Sequence, residues 1–151
     1  MFLTGHAALG AVIATAVTGD PAIGFGVGWA SHYVGDFFPH GDESLGEWTK
    51  RGNEVRRMLL VASVDGAVLV ALYGALVATR GFSWTTALAM AGSVLPDVMW
   101  GLEKVVKRKL FWKHEAFHAA NHNHLKIRMS LAAGIVAQII VGGALWWRLF
   151  V

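Results

Sequence analysis

Ser31-His32-Tyr33-Val34-Gly35-Asp36-Phe37-Phe38-Pro39-His40-Gly41-Asp42 closes an apolar stretch, yet it carries two histidines and two aspartates. His32, Asp36 and His40 fall at every fourth residue, so on a helix they stack along one face. Ionisable groups inside an apolar span are costly, and they mark a functional site whose partners face the interior of a bundle. A His and an Asp at i, i+4 can also hold one metal ion between them. The remainder of the chain is read by whether it points at this stretch.

Hydrophobic residues make up 55% of the 151 and charged residues 15%, with a mean hydropathy of +0.49. A soluble domain carries about 25% charge, so the composition predicts a single integral membrane domain spanning residues 1–151. The absence of cysteine excludes disulfides and thiolate metal sites. Five apolar segments follow in order, at about 3–18, 22–38, 57–79, 83–101 and 127–145. The first two are short against the roughly 20 residues of a spanning helix. Gly24 and Gly28 have the small-xxx-small spacing of close helix contacts. Residues 40–55 are acidic and polar and read as a loop. Residues 102–113 place Leu102, Val105, Val106 and Leu110 opposite Lys and Arg, the pattern of an interfacial amphipathic helix. The expected fold is therefore all-α, a bundle of about five transmembrane helices with one interfacial helix.

Basic residues orient it. With five alternating helices, Lys50, Arg51, Arg56, Arg57, Lys104, Lys107, Arg108, Lys109, Lys113, Lys126 and Arg128 share the side of the N-terminus, and only Arg80 and Arg148 lie opposite. That asymmetry places the N-terminus of a multi-pass protein in the cytoplasm. The same alternation brings His6, His32, Asp36, His40, Asp97 and His114, His118, His122 and His124 to the cytoplasmic half. Asp65, eight residues inside Arg57, reaches about 12 Å deep, level with His32. All seven histidines and every acid except Asp20 sort to that half.

Imidazole and carboxylate suit zinc, and carboxylate-rich sites also accept manganese or iron. The candidate ligands are His6, His32, Asp36, Asp65, Asp97, His118 and His122, enough for one to three ions. Asp65 and Asp42 are the candidate catalytic carboxylates. Asp65 has two further readings, a partner for a buried histidine or a group that orients one. For His32 with Asp36 the plain alternative is a buried His–Asp hydrogen bond that locks two helices; for Asp97 it is an interfacial helix cap beside Pro96, for His6 a side chain facing headgroups, and for Asp42 a loop position.

His32-Tyr33-Val34-Gly35-Asp36 resembles the HxxGD motif of the zinc-dependent phospholipase C and single-strand nuclease superfamily, an all-helical group with clustered zinc. The layout of His6, Ser31-His32 to Asp36, Leu95-Pro96-Asp97 and His118 with His122 is similar to that of the predicted membrane-bound metal-dependent hydrolases of the YdjM type. The resemblance implies metal ligation by His32 and Asp36, hydrolysis of a phosphoester, and the inner membrane of a prokaryotic cell as location. A phospholipid or lipid-linked phosphate, attacked by metal-activated water, is the expected substrate. The bilayer is the expected partner, no nucleic acid is, and the oligomeric state is left open. The alternative from another class is a non-catalytic metal sensor or carrier. The tryptophan ligand of the soluble phospholipases is absent here, and His114, His118 and His122 replace their HxxxE.

Overall fold

Asp20-Pro21, Asn53, Ser83 and Ser130 punctuate the apolar runs, and each starts a helix. Asp20 accepts from the Ala22 and Ile23 amides (2.8 and 2.9 Å) ahead of Pro21, whose missing N–H costs nothing at the first helical position. Asn53, Ser83 and Ser130 cap in the same way. The computed structural model describes residues 1–122, 124–125 and 129–151, without the side chains of residues 42 and 43. Seven helices result: α1 (Leu3–Val17), α2 (Pro21–Phe37), α3 (Asp42–Lys50), α4 (Glu54–Arg80), α5 (Trp84–Val106), α6 (Trp112–His122) and α7 (Leu131–Phe150). The chain is all-helical, 83% helix with no strand among the described residues.

Two of the five expected spans, α4 and α7, are long and apolar enough to cross a membrane. α1, at 15 residues, measures about 22 Å against a hydrocarbon core of about 30 Å. Within α4 only Leu76 is buried, and Leu60, Val64, Val68 and Val70 face outward. An apolar helix so little covered by its own protein is suited to an apolar surrounding. The expected start of the fifth span at Ile127, with Lys126 and Arg128, lies outside the described residues.

Two local readings are corrected. Residues 42–50, expected as loop, form α3 behind Gly41, which takes a left-handed φ of 84°. Residues 102–113 are not one amphipathic helix. α5 continues to Val106, Lys107 turns left-handed (φ 54°), and α6 begins at Trp112. Buried Glu103 accepts the Phe111 amide and holds this turn shut. α6 thereby folds back over α2 and α5.

Small residues decide the packing. α1 buries Ala7, Ala8, Ala11 and Ala14 and lies among α2, α4, α5 and α7. α2 and α5 meet backbone to backbone. A Cβ on Gly28 would stand 2.0 Å from the Ala89 carbonyl oxygen, and one on Gly92 2.2 Å from that of Phe25. The larger core side chains, Leu76, Met90 and Trp146, leave the other end of the bundle to polar groups.

Candidate metal centre

Asp36 is the focus of that polar end. Its side chain is fully buried, and five imidazoles approach it, His40 Nε2 the farthest at 3.7 Å from Oδ1. His32, His118 and His122 bring Nε2 to 2.9, 3.1 and 2.9 Å from Oδ2, and His6 Nε2 stands 3.0 Å from Oδ1. His32 and Asp36 come from successive turns of α2, His6 from α1, and His118 and His122 from successive turns of α6. Asp97 of α5 adds a second carboxylate. Its Oδ1 lies 3.9 Å from His32 and 3.6 Å from His118, and its Oδ2 3.8 Å from His6. The Met1 amino group donates to Asp36 Oδ1 (3.0 Å) and stands 2.6 Å from His40 Nε2.

Tautomers sharpen the picture. His32 donates Nδ1–H to the Ser93 carbonyl (2.8 Å), in the turn that Pro96 loosens. His40 donates Nδ1–H to the Phe38 carbonyl (2.5 Å). With Nδ1 so engaged, Nε2 of each ring turns toward the centre, the way metal-binding histidines are oriented from behind. For His32 that nitrogen faces Asp36 Oδ2 at 2.9 Å and His118 Nε2 at 3.0 Å. Acceptors that face one another in a buried space repel unless a proton or a cation lies between them. His6 is more telling. It is fully buried, and neither ring nitrogen has a hydrogen-bond partner among the described residues.

The donor set fits a metal ion. His32, Asp36, Asp97 and His118 offer four atoms within 4.8 Å of one another, and Asp36, His40 and His122 offer a second group. Separations of 2.9 to 3.9 Å in the first group bracket the roughly 3.3 Å ligand–ligand edge of tetrahedral zinc with bonds of about 2.0 Å. His/Asp groups able to hold a metal ion are therefore present. No family model, curated protein or solved structure matches this chain.

Of the residues expected from the sequence, His6, His32, Asp36, Asp97, His118 and His122 are brought together. Asp65 is not. Its carboxylate accepts from the Leu3 amide (2.5 Å), the Thr4 amide (3.3 Å) and the Thr4 hydroxyl (2.6 Å). It caps α1 from the side of α4, because α1 has no side-chain cap of its own. Asp65 thus lies outside both candidate metal groups, bound to the start of α1. The Asp42 side chain lies outside the described residues. His114 stacks on His118 (ring centroids 5.7 Å apart), outside both groups. Burial, with His118 and His32 nearby, pushes its imidazole below the ordinary pKa. His124 tilts over Phe37 instead.

Position along the fifth apolar segment puts Gln138 in the half away from the histidines; the structure places it beside them. Buried in α7, it accepts the Phe2 amide through Oε1 (2.6 Å) and donates Nε2–H to the His40 carbonyl (2.7 Å). Its signal was a lone amide in an otherwise apolar segment, a group that has to find partners.

Asp65→Ala separates a cap from a ligand. The expected outcome is a loss of about 1–2 kcal/mol of stability, the usual worth of an N-cap, with metal content unchanged. Thermal unfolding in detergent and elemental analysis check both. A fall in bound metal would return Asp65 to the ligands.

Proposed function

We propose that this chain is a membrane-embedded hydrolase that holds divalent metal, zinc by preference, and cleaves a phosphoester in a phospholipid or lipid-linked phosphate. The observation that carries this reading is the convergence on Asp36. Five imidazoles and the Met1 amino group crowd one carboxylate, more groups than its roughly four lone-pair sites can pair, and neither ring nitrogen of His6 has a hydrogen-bond partner among the described residues. His32, His118, Asp36 Oδ2 and Asp97 Oδ1 would hold one ion. His6 with the other oxygen of each carboxylate, or His40 with His122, would hold a second.

Bound metal supplies Lewis acidity, lowering the pKa of water toward 7 and polarising a phosphoryl oxygen. The protein's own part is orientation and exclusion of water. Ser93 and Phe38 aim His32 and His40 through their carbonyls, and Tyr33 packs its ring edge against His32 (5.3 Å). Asp97 and His122 are the exposed members, at 22% and 21% of their side chains, so substrate approaches along them.

The full five-span arrangement belongs to this proposal too, with the N-terminus in the cytoplasm and the inner membrane of a prokaryotic cell as location. Outward-facing Ile23, Trp29 and Val34 on α2, with the apolar faces of α4 and α7, support it. The metal ligands then lie at the cytoplasmic headgroups, where Lys104, Lys107, Arg108 and Lys109 attract phosphate.

Burial of Asp36 favours a second reading, a sensor that keeps metal without turning anything over. A carrier is less suited, because Ala7, Ala8, Ala11, Leu76, Met90 and Trp146 offer no polar path onward. Detergent-purified protein is expected to retain at least one equivalent of zinc, manganese or iron. It is also expected to hydrolyse bis(p-nitrophenyl) phosphate, lose that activity to a chelator and regain it with zinc. Metal without turnover selects the sensor; no metal in elemental analysis ends both readings.

A further inference from the structure

α4 packs on α1, α3 and α7, and α5 on α1, α2 and α6. The two are joined by the short turn at Gly81, yet toward the metal-binding end they leave a cleft between them. Its volume is about 440 Å3. Met58 and Ala62 of α4, Val98, Leu102 and Val105 of α5 and Leu45 of α3 supply apolar wall. The polar groups are few and sit in defined places. Asp65 is already tied to the start of α1. Glu54 and Trp100 also line it, and Lys104 lies 5.4 Å from the Trp100 ring. The remaining carboxylate is Asp97, which both lines the cleft and belongs to the His32–Asp36–His118 group.

An apolar trough that ends on a metal-ligand carboxylate matches an amphiphile with its reactive group at its polar end. At water's share of about 30 Å3, the cleft has room for roughly fifteen groups of that size, about the bulk of one hydrocarbon chain. We propose that the cleft between α4 and α5 receives the chain of a single-chained lipid phosphoester, entering sideways from the bilayer and setting its phosphate against Asp97. The proposal rests on the hydrolase reading for the head and on the cleft alone for the tail. The chain displaces no protein contact, because the walls of α4 and α5 are already apart. Gly101, on the α5 wall, has open space where a Cβ would stand, so a large side chain there fills the cleft without striking the fold.

The test uses the full chain in phosphatidylcholine vesicles, loaded with zinc. The probe is hexadecyl p-nitrophenyl phosphate bearing a diazirine midway along its chain, with the matching hexadecanol diazirine as headless control. Photo-adducts mapped by mass spectrometry are expected on Met58, Ala62, Val98 and Leu102. The phosphoester should label them at least tenfold more than the alcohol. Gly101→Trp, checked for folding by its melting temperature, should lower those adducts at least tenfold. Adducts confined to outward residues such as Leu60, Val64 and Ile140 overturn the proposal, as does equal labelling by the alcohol, which marks the cleft as a bulk lipid site. Preferential labelling by a two-chained phosphatidyl probe overturns it too. The two readings fail separately. Cleft adducts without hydrolysis of bis(p-nitrophenyl) phosphate leave the cleft standing and remove the hydrolase. Hydrolysis with adducts only outside does the reverse.

Discussion

Asp36→Asn should cost bound metal and hydrolysis together while leaving the helices in place. Both oxygens of Asp36 face imidazoles, Oδ2 those of α2 and α6 and Oδ1 that of α1, so the substitution strikes every ion the cluster holds. Four-ligand zinc sites bind with about 10–16 kcal/mol. One ligand's share is roughly 3 kcal/mol, or about a hundredfold in affinity. Asparagine keeps the shape but removes the charge and turns one acceptor into a donor that points at a ring nitrogen. An affinity loss of about 10²–10³-fold is therefore expected, read by competition with a chromogenic chelator, with turnover below detection. Were the cluster only a set of buried His–Asp pairs, the same change would leave no metal to lose. It would appear instead as destabilisation of about 3–5 kcal/mol from an unmatched buried partner. Measuring metal affinity and unfolding on one preparation tells the two apart.

The parts of the centre that were legible are those governed by local spacing. His32 and Asp36 share a face because a helix repeats every 3.6 residues, and His118 and His122 do so for the same reason. Alternating helix direction is enough to place Asp97 and His6 at the same end. Asp65 shows the limit of that reasoning. Depth along α4 puts it near the ligands, but its partner is the uncapped start of α1, 61 residues earlier in the chain. No spacing rule links a distant acceptor to an orphan helix terminus. Gln138 was placed at the wrong end on similar grounds, since its partners are the Phe2 amide and the His40 carbonyl, both backbone. The break at Lys107 was hidden because residues on either side keep an amphipathic pattern. What ends the helix is the buried Glu103 carboxylate taking the Phe111 amide, a tertiary choice that outweighs local propensity.

Gly28→Ala should be the most damaging single methyl in the chain, and it tests how the centre is built. The added carbon would lie 2.0 Å from the Ala89 carbonyl oxygen, and a backbone atom in mid-helix cannot swing aside. α2 and α5 must separate, breaking the reciprocal contact at Gly92 and Phe25 as well. Overpacking a core costs about 1–3 kcal/mol where side chains can yield; against rigid backbone the loss should reach at least about 3 kcal/mol by the same reasoning. Gly26→Ala is the control. It lies on the same helix, with nothing within 4 Å of its added Cβ, and should gain up to about 1 kcal/mol from reduced chain entropy. The consequence reaches the ligands. His32 follows Gly28 by one turn, as Ser93 follows Ala89, and the 2.8 Å bond from His32 Nδ1 to the Ser93 carbonyl exists only while the two backbones touch. Lifting α2 off α5 frees that ring to rotate, so whatever Gly28→Ala protein still folds should bind zinc about 10–100-fold more weakly, the usual cost of losing a group that orients a ligand. Normal zinc affinity in folded Gly28→Ala protein would show that the helix contact and the metal centre are independent.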